Sequence, residues 1–174
     1  SYEYAKKHRY KNLVRCPDSI SSKKMEEKIK QVRSEGDSIG GIIECIATNV
    51  PPGLGSPNYN SLDGSLSAAM HTVPAVKGVE IGIGFNASRM KGSENNDSFI
   101  LNNGKIITET NNSGGILGGI TTGMPIVIRV GLKPASSISK EQNTLNLIKK
   151  TQTKLIVKGR HDPCVVPRAI PIIE

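Results

Sequence analysis

The sequence predicts an α+β or α/β sandwich, and three observations point there. Segments of helical apolar spacing alternate with short runs rich in Ile and Val. Eighteen glycines and ten prolines without a fixed period call for many tight turns and close backbone approaches. Aromatic residues make up 3% of the chain and Trp is absent, so the core is built from Ile, Val, Leu, Met and Ala. With 174 residues there is room for one domain with a real core that needs no metal or disulfide staple.

Taken in order, residues 1–18 are basic, contain Tyr and lack periodicity, and are read as an extended lead-in. A helix is predicted near 21–35, with Met25, Ile29 and Val32 on one face, Ser21 or Ser22 as cap, and Gly36-Asp37 as its end. Ile39 to Ala47 reads as a strand. Residues 49–57 hold Pro51, Pro52 and Pro57 among glycines and form a turn region. Leu62, Leu66, Ala69, Met70 and Val73 have helical spacing after Asn60 or Ser61 as cap. Val76 to Phe85 follows as a strand in which Gly78, Gly82 and Gly84 mark a bulge or a close approach. Residues 86–104 are polar and read as a long loop. Strands near 106–110 and 125–132, a short helix near 141–149 and a strand near 153–158 complete the chain.

The formal charge of +8 favours anionic partners. Nucleic acid, a polyanionic small substrate or cofactor, and simple solubility compete as explanations. Basic residues are spread along the chain, no aromatic and basic interleaving resembles an RNA-binding sheet, and no zinc-finger spacing occurs, so nucleic acid is the weakest positive reading. Cys16, Cys45 and Cys164 are odd in number and far apart, which predicts reduced thiols, no metal site and a cytoplasmic location. No apolar run is long enough to span a membrane. The Asn-x-Ser triplets at Asn86, Asn96 and Asn111 are therefore read as chance matches to a glycosylation signal.

Three stretches carry chemistry. Gly159-Arg160-His161-Asp162-Pro163-Cys164-Val165-Val166-Pro167-Arg168 gathers two guanidiniums, an imidazole, a carboxylate and a thiol. The arginines suit phosphate or carboxylate oxygens, and Asp162 and His161 are candidates for proton transfer. Pro163 and Pro167 bias the preceding residues toward extended backbone, so a stiff loop is predicted. Arg168 is either a cation on the substrate side or a surface residue. Cys164 reads as a small apolar residue more than a nucleophile, and His71 as a capping or core histidine. The second stretch, residues 111–123, bares its backbone through five glycines and serves tight packing or ligand binding equally well. It is neither a P-loop nor a dinucleotide fingerprint. The third, Lys133-Pro134-Ala135-Ser136-Ser137, offers an ammonium and two hydroxyls as an anion pocket or a solvated turn.

Taken together, Gly-Gly-Ile-Leu-Gly-Gly-Ile-Thr-Thr-Gly, Lys-Pro-Ala-Ser-Ser and Gly-Arg-His-Asp-Pro-Cys-Val closely resemble the chorismate synthase family. So do Pro51-Pro52-Gly53-Leu54-Gly55, Pro74-Ala75-Val76-Lys77-Gly78-Val79-Glu80 and Gly92-Ser93-Glu94. The six motifs run in order from about Asp37, and residues 1–36 add little.

The resemblance implies an α+β fold in the family's β–α–β sandwich style, incomplete here, and a cytoplasmic homotetramer. It implies a lyase of the shikimate pathway. The substrate is 5-enolpyruvylshikimate 3-phosphate, which becomes chorismate by anti 1,4-elimination with reduced FMN, NADPH being a possible reductant. By position, Pro74, Ala75, Gly118, Lys133, Pro134, Ala135, Ser136, Ser137 and Arg160 look like the FMN contacts. Asp162 resembles the carboxylate that relays a proton, and His161 either joins it or braces the loop. Glu94 and Asp97 resemble loop residues without a catalytic role. The family's Gly-Thr-Ser-His-Gly stretch, substrate-clamping arginines, second catalytic histidine and Arg-Ser-Ser segment have no counterpart here. The chain is thus read as a single domain from the C-terminal side of a longer protein, inactive by itself. The alternatives are a non-catalytic flavin- or anion-binding module and, less favoured, a basic nucleic-acid-binding domain.

Overall fold

The computed structural model describes residues 1–174. The chain divides into two compact units, one of residues 1–41 and 132–172, the other of residues 42–131 with 173–174.

The first unit opens with helix α1 (Tyr2–His8) and helix α2 (Ser19–Ser34). The lead-in expected to be extended is therefore partly helical. Ser1 caps α1, and the Tyr4 and His8 rings stack one turn apart with centroids 3.9 Å apart. So short and polar a helix leaves no periodicity to read. The cap of α2 is Asp18, whose carboxylate accepts the Ser21 amide at 2.6 Å, and not Ser21 or Ser22. Gly36, at φ 69°, stops the helix as predicted.

Residues 141–149 are not helical. Strands β8 (Gln142–Asn146) and β9 (Thr151–Leu155) form an antiparallel hairpin. Leu145 and Ile148 mimic helical spacing, but the Asn146 side chain accepts the amides of Ile148 and Lys149 at 3.1 and 3.0 Å and closes a turn instead. Thr144 then faces Thr153 across the ladder. Helix α5 (Val166–Ile173) follows the Arg-His-Asp loop, with Pro167 in its first turn, where a missing amide costs nothing.

The second unit is built on a three-stranded sheet of β1 (Gly41–Ala47), β7 (Ile126–Leu132) and β2 (Val76–Ile81), with β7 in the middle. Its central strand alternates strictly, and Ile126, Ile128 and Val130 are buried on one face. Val130 is completely buried. Helix α3 (Leu62–His71) is capped by Ser61, one of the two predicted caps, and packs on β2. His71 lies exposed, its Nδ1 paired with Ser67 O at 2.8 Å, so it serves the helix end and not the core.

The strand expected to reach Phe85 stops at Ile81, and Gly84–Arg89 forms a 3-10 helix. The stretch 86–104, expected as a loop, holds that turn, helix α4 (Gly92–Asn95) and strand β3 (Phe99–Asn102). β3 pairs with β4 (Lys105–Thr108) through an Asn103-Gly104 turn with φ of 49° and 75°. Asn-Gly is the residue pair that favours such a two-residue hairpin, so this signal was present in the sequence.

Replacing Val130 by Ala is expected to cost about 2–3 kcal/mol through lost burial and a residual cavity. Ile148→Ala, at a site 94% exposed, should stay within about 0.5 kcal/mol. Urea denaturation of the two variants measures the contrast.

Candidate functional site

The glycine-rich stretch 111–123 folds into a miniature hairpin, β5 (Ile116–Leu117) against β6 (Ile120–Thr121). Its two-residue turn is Gly118-Gly119, with φ of 57° and 80°, a conformation that side chains resist. The two glycines then differ. A Cβ on Gly119 would sit 2.5 Å from Ser56 O, so that position is filled by another backbone. A Cβ on Gly118 would meet nothing within 4 Å, and Gly118 is exposed. Gly118 thus presents bare peptide to whatever approaches from outside, which is the property a flat ring needs.

Three sets of bonds hold this hairpin. Thr121, buried, donates its hydroxyl to Pro51 O at 2.7 Å and accepts the Leu54 amide at 2.9 Å. The backbone of Thr121 adds bonds with Gly53 and Leu54, so the Pro51–Gly55 turn is strapped to β6. The Leu62 amide donates to Gly119 O at 3.0 Å from the start of α3. On the other side, the Asp97 carboxylate accepts Thr110 Oγ1 at 2.6 Å, the Asn112 amide at 2.7 Å and the Ser113 amide at 2.9 Å.

Pro74 and Ala75 lie in the same unit, in a four-residue turn closed by the Val76 amide on Val73 O at 3.2 Å. Ala75 takes the third position at φ 73°, where glycine is the usual choice. Holding a methyl-bearing residue there costs about 1–2 kcal/mol, and such outliers concentrate at functional sites.

The other expected site residues belong to the first unit. Residues 156–165 have no regular structure, as the prolines predict. The Ile39 amide anchors this loop on Pro163 O at 2.8 Å, and His161 Nε2 pairs with Val157 O at 2.8 Å. That bond occupies one imidazole nitrogen in bracing the loop. Arg168, in the first turn of α5, donates Nη1 to Asp162 Oδ2. Arg160, Asp162 and Arg168 line an open cavity of about 460 Å³. Two guanidiniums around one carboxylate leave a net positive pocket, suited to an anion with room for a proton acceptor. Because Arg168 is 77% exposed, the pair adds little stability, and its effect is to orient the carboxylate. Burial pushes the Cys164 thiol up, against a backbone bond at Val166, so it is a poor nucleophile at neutral pH.

Lys133, Ser136 and Ser137 are exposed on the segment after β7, and Ala135 O accepts Ser38 Oγ at 2.6 Å. A Cβ on Gly40 would lie 2.2 Å from Leu132 O, so this segment is laid directly along another backbone. The structure therefore groups Pro74, Ala75 and Gly118 in one unit, and Lys133–Ser137 with Arg160, His161 and Asp162 in the other.

By sequence Asp97 resembles only a loop residue. Its only sequence signal is a carboxylate 13 to 16 residues before the donor-rich run Thr110-Asn111-Asn112-Ser113. Burial pushes its carboxyl up, but the bonds from Thr110, Ser113 and Asn112 outweigh that and hold it below the usual carboxylate range.

Two outcomes follow. Ala75→Gly is expected to stabilise the protein by about 1 kcal/mol in urea, since relief of strain exceeds the added chain entropy. The stability that Asp97 supplies is fully present above its unfolded pKa and is lost as pH falls through the depressed folded value. The difference in unfolding free energy between wild type and Asp97→Asn should therefore be constant above about pH 5 and shrink below about pH 4. Denaturation curves across that range measure it.

The chain matches the family model described as chorismate synthase over residues 3–174. It is 53% identical over 161 residues to the chorismate synthase of Dehalococcoides mccartyi strain BAV1, covering 92% of this chain and 44% of that protein. To the chorismate synthase of Korarchaeum cryptofilum it is 52% identical over 170 residues, with 98% and 47% covered. A crystal structure of a chorismate synthase superimposes with a TM-score of 0.73 at 39% identity, covering 78% of this chain and 41% of that one. The likeness begins at residue 3 and not near Asp37, so the basic N-terminal segment carries it as well. The chain spans about half the length of the curated relatives it matches, with 44% and 47% covered in these two. From the motifs, the fold and these likenesses, the chain belongs to the chorismate synthase family.

Proposed function

We propose that the protein of which this chain forms at least part is an FMN-dependent lyase. It converts 5-enolpyruvylshikimate 3-phosphate to chorismate and phosphate by anti 1,4-elimination, in the cytoplasm and as a homotetramer. The observation that carries this reading is the Arg160, Asp162 and Arg168 cavity in a chain of this family. A substrate with a phosphate and two carboxylates needs a positive pocket, and the elimination needs a group that takes up a proton.

Each unit by itself offers chemistry that suits one part of a flat cofactor with a phosphate tail. Gly118 offers an unobstructed peptide face, and Lys133 with Ser136 and Ser137 offers an exposed cation and two hydroxyls. Pro74, Ala75, Pro134, Ala135 and Arg160 complete the proposed contacts. When bound, reduced FMN supplies the electron-rich ring that the elimination requires, with no net oxidation or reduction.

The chain's own part is electrostatic and positional. Arg160, while contacting FMN, keeps the cavity positive together with Arg168, which favours the negative charge that develops as the C–O bond to phosphate breaks. Asp162, fixed by Arg168, takes up through Oδ1 or Oδ2 the proton lost from the ring. His161 keeps that loop in place through Val157 O. The electron pair of the broken C–H bond forms a new ring double bond, and the existing ring double bond shifts by one position. The pair of the broken C–O bond leaves with phosphate, so that chorismate, phosphate and a proton balance the substrate.

In the full-length protein, Asp162→Asn is expected to lower kcat by about 10²–10⁴-fold. Its FMN affinity should change by less than about threefold, because the substitution preserves size. Anaerobic chorismate formation with chemically reduced FMN, together with a flavin titration, tests both. Unchanged kcat would remove Asp162 from the mechanism.

A further inference from the structure

Asp97 is 9% exposed and is the only acidic side chain among the buried residues, yet nothing in the elimination uses it. All three of its bonds go to one place, the four-residue run that leads into the glycine hairpin. Two of those donors are consecutive backbone amides, Asn112 and Ser113, so the carboxylate sets the direction of the peptide and does more than hold a side chain. Asn112 is tied from other sides as well. Its amide side chain donates to Asn95 O at 3.1 Å, and its carbonyl accepts the Ile83 amide at 2.8 Å. Beyond Ser113, the residues Gly114, Gly115 and Ile116 are buried, and the chain has no slack before the turn at Gly118.

We infer that Asp97 is a positioning residue that fixes the base of the Ile116–Thr121 hairpin and thereby the peptide face of Gly118 offered to the flavin. The inference rests on the proposed role of Gly118. A carboxylate is required there because every partner is a donor. An amide in its place would turn an NH₂ group toward at least one N–H or O–H. The bonds are charge-assisted and partly buried, where such a mismatch costs more than it would in water.

The test uses the full-length protein with Asp97→Asn and Thr110→Val, read by amide hydrogen exchange and by FMN titration. In Asp97→Asn, exchange should accelerate across residues 112–121 while β7 keeps its protection, and FMN should bind about tenfold more weakly. Thr110→Val, which removes one donor, should shift both readings in the same direction by less. Local exchange and FMN affinity within about twofold of wild type would overturn the proposal. So would a uniform loss of protection along the chain with FMN affinity retained, since that marks a purely global effect. If wild type binds no FMN, the flavin reading of Gly118 falls, while the exchange pattern still decides whether Asp97 anchors the hairpin.

Discussion

The second unit depends on a place where two backbones touch with no side chain between them. A Cβ on Gly82 would lie 2.0 Å from Asn112 O, and one on Gly114 would lie 2.3 Å from Gly82 N. Because neither residue carries one, the Gly82 amide reaches Val127 O at 2.9 Å and the Ile83 amide reaches Asn112 O at 2.8 Å. These bonds join the glycine-rich stretch to the chain leaving β2 and to the start of β7. Arg129, on the middle strand, adds a bond from Nη2 to Gly82 O at 2.6 Å and lies 3.5 Å from the Glu80 carboxylate. A methyl group at this contact would push apart the elements that carry the hairpin.

From that contact outward, positions are set by polar anchors more than by apolar bulk. Thr121 ties the hairpin to the Pro51–Gly55 turn, and Asp97 ties it to the stretch before β3. Each anchor is a buried side chain meeting backbone groups that would otherwise be unsatisfied. The chain has no Trp, and the rings of this unit, Tyr59, Phe85 and Phe99, are all exposed, so none of them wedges such loops in place. Directional bonds take over that function, and they leave Gly118 bare while holding its neighbours.

The Arg160–Arg168 loop follows a different rule. It is irregular and partly exposed, and is stiffened by Pro163, by the Ile39 amide on Pro163 O and by His161 on Val157 O. Its charge is concentrated where regular structure ends, so the guanidiniums keep access to solvent and to an incoming anion. An exposed ion pair such as Arg168 with Asp162 contributes little to folding. It sets where a carboxylate points, which is what a proton-transferring group needs.

Much was legible in the residues themselves. Ile126 to Leu132 has a periodicity that burial enforces, because one face of the strand meets the core, while the strand from Ile39 to Ala47 was legible in its Ile-rich run and the helix from Leu62 in its apolar spacing. The motif residues around Gly118, Lys133 and Asp162 were legible as well, since glycine runs and clustered charges are local features. Other parts required the tertiary structure. The segment 141–149 has helical spacing but pairs as a hairpin, because the Asn146 cap and cross-strand Thr contacts outcompete weak local preference. The different fates of Gly118 and Gly119, adjacent and chemically identical, depend on Ser56 O standing beside one of them. Asp97 acquires its meaning from donors 13 to 16 residues away. Sequence determines which groups are present and which faces are apolar; folding decides which distant donors and acceptors meet, because hydrogen bonds are short and a chain says nothing of distance until it closes.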